Sequence, residues 1–211
     1  MTWKTMNRSE KMEHIWAYYR VHILFAIAVC LILGSLINNY WLNPAPDIVM
    51  DITIRTKSHD VVYARQLEDT LNRQVMNVAE NEALMIEFLE IDPEISPTTT
   101  MTSEARFMGK SSVMALDILV VDEENKDFLM ENQFFMPIEE MKADMEGANL
   151  VERLEALGAK DIDGKFLMKL DYFPKLRPLI QDEEENYYVG VFALSSHSED
   201  IITVLNYLLE E

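Results

Sequence analysis

The sequence predicts an α/β protein in which a single N-terminal transmembrane helix is followed by a three-layer α/β domain with a mostly parallel sheet. Three observations predict this class. A nearly unbroken apolar run lies close to the N-terminus. After it, strand patterns alternate with amphipathic helix patterns, which is the order of a sheet whose strands are joined by crossover helices. One strand pattern is apolar at consecutive positions, as in strands that are covered on both faces.

The apolar run covers residues 21–37, and only His22 and Ser35 interrupt it. A helix needs roughly 20 apolar residues to cross about 30 Å of hydrocarbon, so residues 21–41 are predicted to be a transmembrane helix. No small-residue cleavage site follows the run, so removal as a signal peptide is not expected. Cys30 follows Val29 rather than a small residue, which favours an apolar filler over a lipidated cysteine.

Aromatic and basic residues flank the run and predict its orientation. Aromatic side chains settle at the two headgroup levels of a bilayer, and basic residues accumulate on its cytoplasmic side. Four basic residues precede the run, and two follow it within a comparable distance. Residues 1–20 are therefore predicted to be a cytoplasmic leader, and the C-terminal domain is expected on the extracellular side of the cell membrane. The predicted membrane-interface anchors are Trp16, Tyr18, Tyr19, Arg20, Tyr40 and Trp41.

The part of the chain after the run is strongly acidic. It carries 14 Lys and Arg against 35 Asp and Glu, within a whole-chain net charge of −19. Binding to phosphate backbones needs a basic surface, so nucleic acid is excluded as a partner. The single cysteine of the chain lies in the apolar run, so disulfides cannot hold the domain together.

Residue periodicity assigns the elements of the remaining chain. Prolines mark a stalk over residues 42–47, and residues 48–211 are predicted to form the extracytoplasmic α/β domain. Strands are expected over 48–55, 83–91, 116–121, 166–170 and 187–194. Helices are expected over 60–78, over 103–111 after a Thr-rich turn, over 122–132, over 149–157, and from the capping box Ser196-x-x-Glu199 onward.

The first of these strands alternates between apolar and polar residues. Met50, Ile52 and Ile54 fall on one face, and Asp51 and Thr53 fall on the opposite face. This period of two is typical of a β-strand. In contrast, residues 116–121 are almost continuously apolar, which predicts a strand buried on both faces, as in a parallel sheet.

Three segments resemble the extracellular solute-binding proteins of ABC importers. They are the stretch from Leu116 onward, in which a strand leads into a helix and then into the apolar run 134–138, the turn 163–166, and the final strand and helix. The resemblance covers about 80 residues and implies one lobe of a periplasmic-binding-protein fold. Only residues 171–186 separate the crossing strand from the return strand. A second lobe does not fit there, so a reduced, single-lobe relative is expected.

Two groups of residues are candidates for binding. Asp122 and Glu123 follow the apolar strand, and open α/β sheets bind ligands at the carboxyl ends of their strands. A helix cap with an acidic first turn is the open alternative. Phe134, Phe135 and Met136 are candidates for an exposed apolar patch that contacts a partner. No catalytic residue, metal ligand or cofactor is predicted, because the sequence has no H-E-x-x-H, G-x-S-x-G or P-loop motif.

Position and composition together predict a membrane-anchored binding or scaffold module without chemistry of its own, serving as an accessory component of an envelope transporter or assembly. The expected partners are the lipid bilayer, through the N-terminal helix, and another membrane or envelope protein. Two alternatives stay open. A tethered solute receptor would deliver a small ligand to an ABC transporter and would be stabilised by that ligand. A surface hydrolase would need a pocket lined by titrating groups.

Overall fold

Helix α1, Arg8–Ile37, contains the apolar run and continues as a π-helical turn over Asn38–Leu42. The computed structural model describes residues 7–42, 45–79, 81–182 and 185–210. The helical stretch Trp16–Leu42 contains an 18-residue segment with a mean hydropathy of 2.4, and 0% of that segment is buried. By length and composition this helix can cross a membrane, a property that it shares with signal sequences.

The predicted membrane-interface anchors lie on this helical stretch. The chain divides into one unit that ends at Pro46 and a second unit, Asp47–Glu211, which we call the C-terminal domain. Residues 1–6 of the predicted leader and residues 43–44 of the predicted stalk lie outside the described residues. The anchors with exposed side chains are Trp16, Tyr18, Tyr19, Arg20, Tyr40 and Trp41.

The C-terminal domain alternates strands and helices, as the sequence predicts. Its strands are β1 (Asp47–Thr56), β2 (Glu82–Glu90), β3 (Ile118–Asp122), β4 (Leu167–Lys169) and β5 (Tyr187–Val191). Its helices are α2 (Val61–Thr70, continued as a π-helical turn over Leu71–Val75), α3 (Pro97–Ser112), α4 (Glu123–Glu131), α5 (Ile138–Met141), α6 (Met145–Ala156) and α7 (Ser198–Leu209).

The five strands form one mixed sheet in the order β2-β1-β3-β5-β4. Strand β1 is parallel to β2 and β3, whereas β5 is antiparallel to β3 and to β4. The prediction of a mostly parallel sheet is therefore wrong. Parallel neighbours need a crossover, usually a helix, and the described residues between β4 and β5 contain only short 3-10 turns. Without a crossover helix, β5 returns beside β4 in the opposite direction.

Helices cover both faces of the sheet, which gives the expected three layers. On one face, Ile52 of β1 belongs to a core that includes Leu67 of α2, Leu154 of α6 and Leu205 of α7. On the other face, Leu119 of β3 packs in a second, smaller core with Phe107 of α3 and Leu129 of α4. The central strands are thus buried on both sides, so every residue of β3 is buried.

Three helix starts differ from the sequence-based expectation, those of α3, α6 and α7. Helix α6, expected from residue 149, begins at Met145 after the N-cap Asp144. Helix α3 begins at Pro97, well before residue 103, and the Thr-rich segment forms its first turn. Proline at the first position of a helix loses no intrahelical hydrogen bond and has a helical φ, which explains this early start. The capping box at Ser196 does not form, because the N-cap of α7 is His197, whose side chain makes no capping hydrogen bond.

Candidate functional site

Strand β1 carries buried polar side chains on the face that the helices α3 and α4 cover. Asp51, Thr53 and Arg55 are 3%, 0% and 1% exposed. They alternate with Ile52 and Ile54, whose side chains lie in the first core. A polar side chain in this position must find a partner inside the protein, because burial without one is costly. The resulting contacts, which we call the buried ionic network, form two neighbouring groups along β1. One contains Asp51, Thr53, Glu87, Arg106 and Lys110, and the other contains Arg55, Glu104 and Asn125.

At one end of the network, Lys110 of α3 lies between two carboxylates from neighbouring strands. Its Nζ donates to Oδ2 of Asp51 and to Oε2 of Glu87. The side chains of Lys110, Asp51 and Glu87 are 19%, 4% and 9% exposed. Thr53 donates its hydroxyl to the other oxygen of Asp51, and Arg106 pairs with the second oxygen of Glu87. Two largely buried carboxylates therefore share the Lys110 ammonium group, and the Arg106 guanidinium also pairs with Glu87.

Burial raises the pKa of the Asp51 carboxyl above its ordinary value. The hydrogen bonds from Lys110 and Thr53 and the charge of Lys110 act in the opposite direction, because they favour the ionised carboxylate. The backbone N–H of Asp51 also donates to Oδ2 of Asp117, at 2.9 Å. The carboxyl is thus held in place by hydrogen bonds while its desolvation opposes ionisation.

At the other end of the network, Arg55 joins α3 to the first turn of α4. Its Nη2 donates to Oε1 of Glu104 at 2.6 Å and to Oδ1 of Asn125 at 2.7 Å. Its Cζ lies 4.5 Å from the centroid of the Phe107 ring, a cation-π contact. The buried Nε of Arg55 has no hydrogen-bond partner within the described ranges. Charge-assisted bonds and the ring together fix the guanidinium at the carboxyl end of β1.

The predicted pair Asp122 and Glu123 lies at the carboxyl end of β3, beside this end of the network. Asp122 is 5% exposed and accepts a hydrogen bond from the backbone N–H of Asn125 at 2.7 Å. The capping alternative is therefore confirmed for Asp122. Exposed Glu123 accepts a hydrogen bond from the hydroxyl of Tyr188 and pairs with Lys126. The pKa of the Glu123 carboxyl lies below its ordinary value, and the hydrogen bond from Lys126 is the largest cause. A ligand-binding role for either carboxylate stays a prediction.

The predicted apolar patch is not exposed. Phe135 and Met136 are 0% and 5% exposed, and Phe134 is half-buried. Phe135 packs on Gly190 of β5, where an added Cβ would lie 2.5 Å from Cδ1 of the ring. Met136 donates its backbone N–H to the carbonyl of Val191 at 2.8 Å. The prediction of an exposed patch is therefore wrong, because the missing side chain of Gly190 leaves room for the ring of Phe135 on the sheet.

Contacts through buried residues link the two predicted groups. The ring of Phe134 stacks on Phe107 at a centroid distance of 5.5 Å. Phe107 lies against Arg55, which bonds to Asn125, and the side-chain amide of Asn125 donates to both carboxylate oxygens of Asp122 at 2.9 Å. Sequence reasoning missed Arg55 and Phe107. The polar alternation in β1 was the available signal, because a central strand covered on both faces must bury its polar residues.

Helix α3 directs charged side chains toward the sheet and exposes apolar side chains, an arrangement that we call its inverted amphipathic character. The buried residues of α3 are Ser103 and Phe107, and Lys110 also reaches the sheet from this face. On a helix, positions separated by four, three and four residues share a face. Met101 and Met108, 73% and 51% exposed, lie on such a face opposite the buried residues. We call Met101, Ala105, Met108 and Ser112 the α3 outer surface, and all of them are exposed.

More exposed apolar side chains lie at the two ends of α3. Ile95, before the helix, is 83% exposed, and Val113 and Met114, after it, are 72% and 57% exposed. A surface helix usually directs its apolar side chains toward the core and its charged side chains toward water. Helix α3 follows this rule at the buried Phe107, but it also directs Lys110 toward the sheet and exposes Met101 and Met108, so its outer surface has the composition of a contact region.

One cavity of about 300 Å³ lies between the α5–α6 connection and the N-terminal part of α7. Apolar residues that line it include Met141 and Ile202, and the carboxylates of Glu140 and Asp144 also contribute. This volume is at the lower end of the range for small-molecule sites. Among the residues that the structure describes, no three His, Cys, Asp or Glu side chains are grouped so that they could hold a metal ion.

No family model and no curated protein matches the sequence. Among solved structures, the chain is similar to the substrate binding domain of a putative molybdenum ABC transporter from Clostridium difficile, with 10% identity and a TM-score of 0.34. The match covers 78% of this chain and 93% of that chain. That protein is of the class that the sequence resembles. The relationship of this chain to a single lobe of that class stays a prediction.

Proposed function

We propose that this chain is a membrane-anchored extracytoplasmic binding or scaffold module, without catalysis of its own, that docks another membrane or envelope protein on the α3 outer surface. In this role it would serve as an accessory component of an envelope transporter or assembly. The observation that carries the proposal is the inverted amphipathic character of α3, whose charged residues bond to the sheet while Met101 and Met108 are exposed to solvent.

Covering the α3 outer surface would release a sizeable free energy. Burying a methionine side chain contributes about 1.5–3 kcal/mol relative to leaving it exposed. Two methionines of this surface, Met101 and Met108, are more than half exposed. Their unbranched thioether side chains adapt to differently shaped partners. The surface therefore suits a protein partner with an apolar ridge.

The buried ionic network supports docking by holding α3 in one position on the sheet. Glu104, Arg106 and Lys110 are spread over two turns of α3 and bond to Arg55 and Glu87. Buried ion pairs add little net stability compared with apolar contacts, but they fix geometry when each charge has a partner. A helix fixed in this way presents its outer surface without first losing conformational freedom, which favours binding.

Anchoring through α1 gives the first testable prediction. In the full chain with Cys30 replaced by Ser, Leu157→Cys is expected to react with a membrane-impermeant maleimide on intact cells, since Leu157 is 58% exposed in the domain. Met12→Cys, which is 73% exposed near the start of α1, is the control and should react only after lysis. The labelled band should keep the 24.5 kDa of the uncut chain. Labelling of Leu157→Cys only after lysis, or a shortened band, would contradict the proposed topology.

Docking on α3 gives the second prediction. A photo-crosslinking amino acid at Met108 of the full chain is expected to form an adduct in native membranes, whereas the same group at the exposed Leu157 should form none. Adding Ala105→Glu should reduce the Met108 adduct at least about tenfold, because burying an unpaired charge costs more than the 1.4 kcal/mol that a factor of ten represents. Equal adducts at both sites, or no effect of Ala105→Glu, would refute docking on α3.

A second candidate function is the tethered solute receptor, and the cavity of about 300 Å³ favours it. Two acidic residues that line the cavity, Glu140 and Asp144, suit a small ligand with a positively charged group. Binding would raise the thermal stability of the full chain in proportion to the logarithm of ligand concentration. Strong stabilisation by a small molecule, lost in Ile202→Trp, would favour this function over docking.

A further inference from the structure

Among the helices of the C-terminal domain, α3 differs from the others in charge. It contains Glu104, Arg106 and Lys110, which give it a net charge of +1, whereas α2, α4, α5, α6 and α7 are each net negative. All three charged side chains of α3 bond to residues of the sheet. The α3 outer surface itself carries no charged side chain. Two copies of this acidic domain would repel each other at the other helices but not here.

From this we infer that the membrane protein docked on the α3 outer surface is a second copy of this chain, which presents the same surface; the inference rests on the proposed function. A two-fold contact must be complementary to itself. The surface meets this condition, because the long side chains of Met101 and Met108 alternate with the small residues Ala105 and Ser112, and Gly109 lies at its border. In an antiparallel pair centred on Ala105, Met101 of one copy lies beside Met108 and Gly109 of the other.

Gly109 allows the close approach that such a pair requires. A Cβ built at Gly109 meets no atom within 4 Å, so the space outside this part of α3 is open. Small residues at a helix–helix contact let the two backbones approach, and the methionines of each copy then fill the space above the small residues of the other. The pairing therefore uses both the long methionines and the small residues of α3.

The size of the contact explains why the membrane anchor matters for pairing. A helix of 16 residues, such as α3, is about 24 Å long at 1.5 Å per residue. A strip of this length and about 10 Å width on each copy totals roughly 500 Å², below the roughly 1,200 Å² of stable interfaces. Contacts of this size form when tethering raises the effective concentration to the millimolar range. Two copies anchored in one bilayer meet this condition.

Cysteine cross-linking of the full chain in native membranes tests the inference. With Cys30 replaced by Ser, Ala105→Cys is expected to give, on mild oxidation, a disulfide-linked species of twice the monomer mass, since symmetry places the two sulfurs side by side. Leu157→Cys and Leu194→Cys, 58% and 56% exposed and outside α3, are matched controls and should stay at least about tenfold less cross-linked. Met108→Glu should abolish the Ala105→Cys dimer without changing the yield of folded protein.

The outcomes separate this inference from the proposed function. A dimer that forms equally at Ala105→Cys and Leu157→Cys, or that survives Met108→Glu, overturns the pairing of α3 with a second copy. An absence of the dimer, combined with a photo-adduct to a different protein at Met108, also overturns the second copy but leaves docking on α3 intact. If neither the dimer nor the photo-adduct forms, both the inference and the proposed docking function fail.

Discussion

Replacing Lys110 by Met is expected to lower the free energy of unfolding of the C-terminal domain by about 3–5 kcal/mol, the cost of removing one partner from a buried ionic group. The substitution keeps most of the length of the side chain but leaves Asp51 and Glu87 without their shared ammonium group. The tryptophans lie at positions 3, 16 and 41, outside the domain. Urea unfolding of the full chain in detergent should therefore be followed by tyrosine circular dichroism.

Lys57→Met is the matched control for this prediction. Lys57 pairs with Glu185, but their side chains are 42% and 31% exposed, so solvent screens the interaction. Exposed ion pairs contribute about 0–1 kcal/mol, and Lys57→Met should cost no more than that. A loss below about 1 kcal/mol for Lys110→Met would mean that the two carboxylates do not depend on Lys110, contrary to the buried geometry.

The effect of Lys110→Met is also expected to depend on pH in a definite direction. Burial raises the folded-state pKa of Asp51 above its ordinary value of 3.8. Between these two values the folded chain binds more protons than the unfolded chain, so the contribution of Asp51 to stability falls as pH rises through the window. Removing Lys110 raises the pKa of Asp51 further. The stability deficit of Lys110→Met relative to the parent should therefore shrink as pH is lowered, and a deficit that grows would contradict this.

Replacing Phe135 by Ala is expected to cost about 3–5 kcal/mol of unfolding free energy, the usual range for deleting a buried aromatic ring. Phe135 is 0% exposed and covers Gly190 in the second core. Phe128→Ala, at a position that is 52% exposed, is the control and should cost far less. If Phe135 served only as an exposed partner contact, its removal would leave stability unchanged, and that result would contradict the packing described here.

A double substitution shows whether Phe135 depends on the absence of a side chain at residue 190. Gly190→Ala alone should destabilise the domain, because its Cβ would lie 2.5 Å from the ring of Phe135. In Phe135→Ala the same methyl group enters vacated space. The cost of the double variant should therefore be smaller than the sum of the single costs by at least about 0.5 kcal/mol. Simple additivity would show that ring and glycine do not share this space.

Local sequence patterns predicted most elements and some of the candidate site. The apolar run became α1, and the alternation over residues 48–55 became β1, because both signals depend only on neighbouring residues. The capping role of Asp122 was predictable for the same reason, since an aspartate at the start of a helix accepts a hydrogen bond from a backbone N–H within three residues. The early start of α3 at Pro97 was missed because the Thr-rich segment before residue 103 was interpreted as a turn.

The rest of the site depends on contacts between residues far apart in the chain. Arg55 and Glu104 are separated by 49 positions, and Arg55 and Asn125 by 70 positions. The sequence placed Asp51 and Thr53 opposite the apolar face of their strand, but no local signal stated that α3 would cover that face with charged residues. The exposure of the methionines on α3 follows from the same inward placement of charge.

By itself the sequence determined that a helix able to cross a membrane precedes an acidic α/β domain. The length of an apolar run, the periodicity of apolar residues and the net charge depend only on the order and identity of the residues, not on contacts between distant segments. Only the tertiary structure decided that the sheet is mixed, that Phe135 lies on Gly190, and that Arg55 is buried. Periodicity tells which residues share a face. Which element covers that face depends on the packing of distant segments, and this packing buried the polar side chains of β1 and left Met101 and Met108 of α3 exposed.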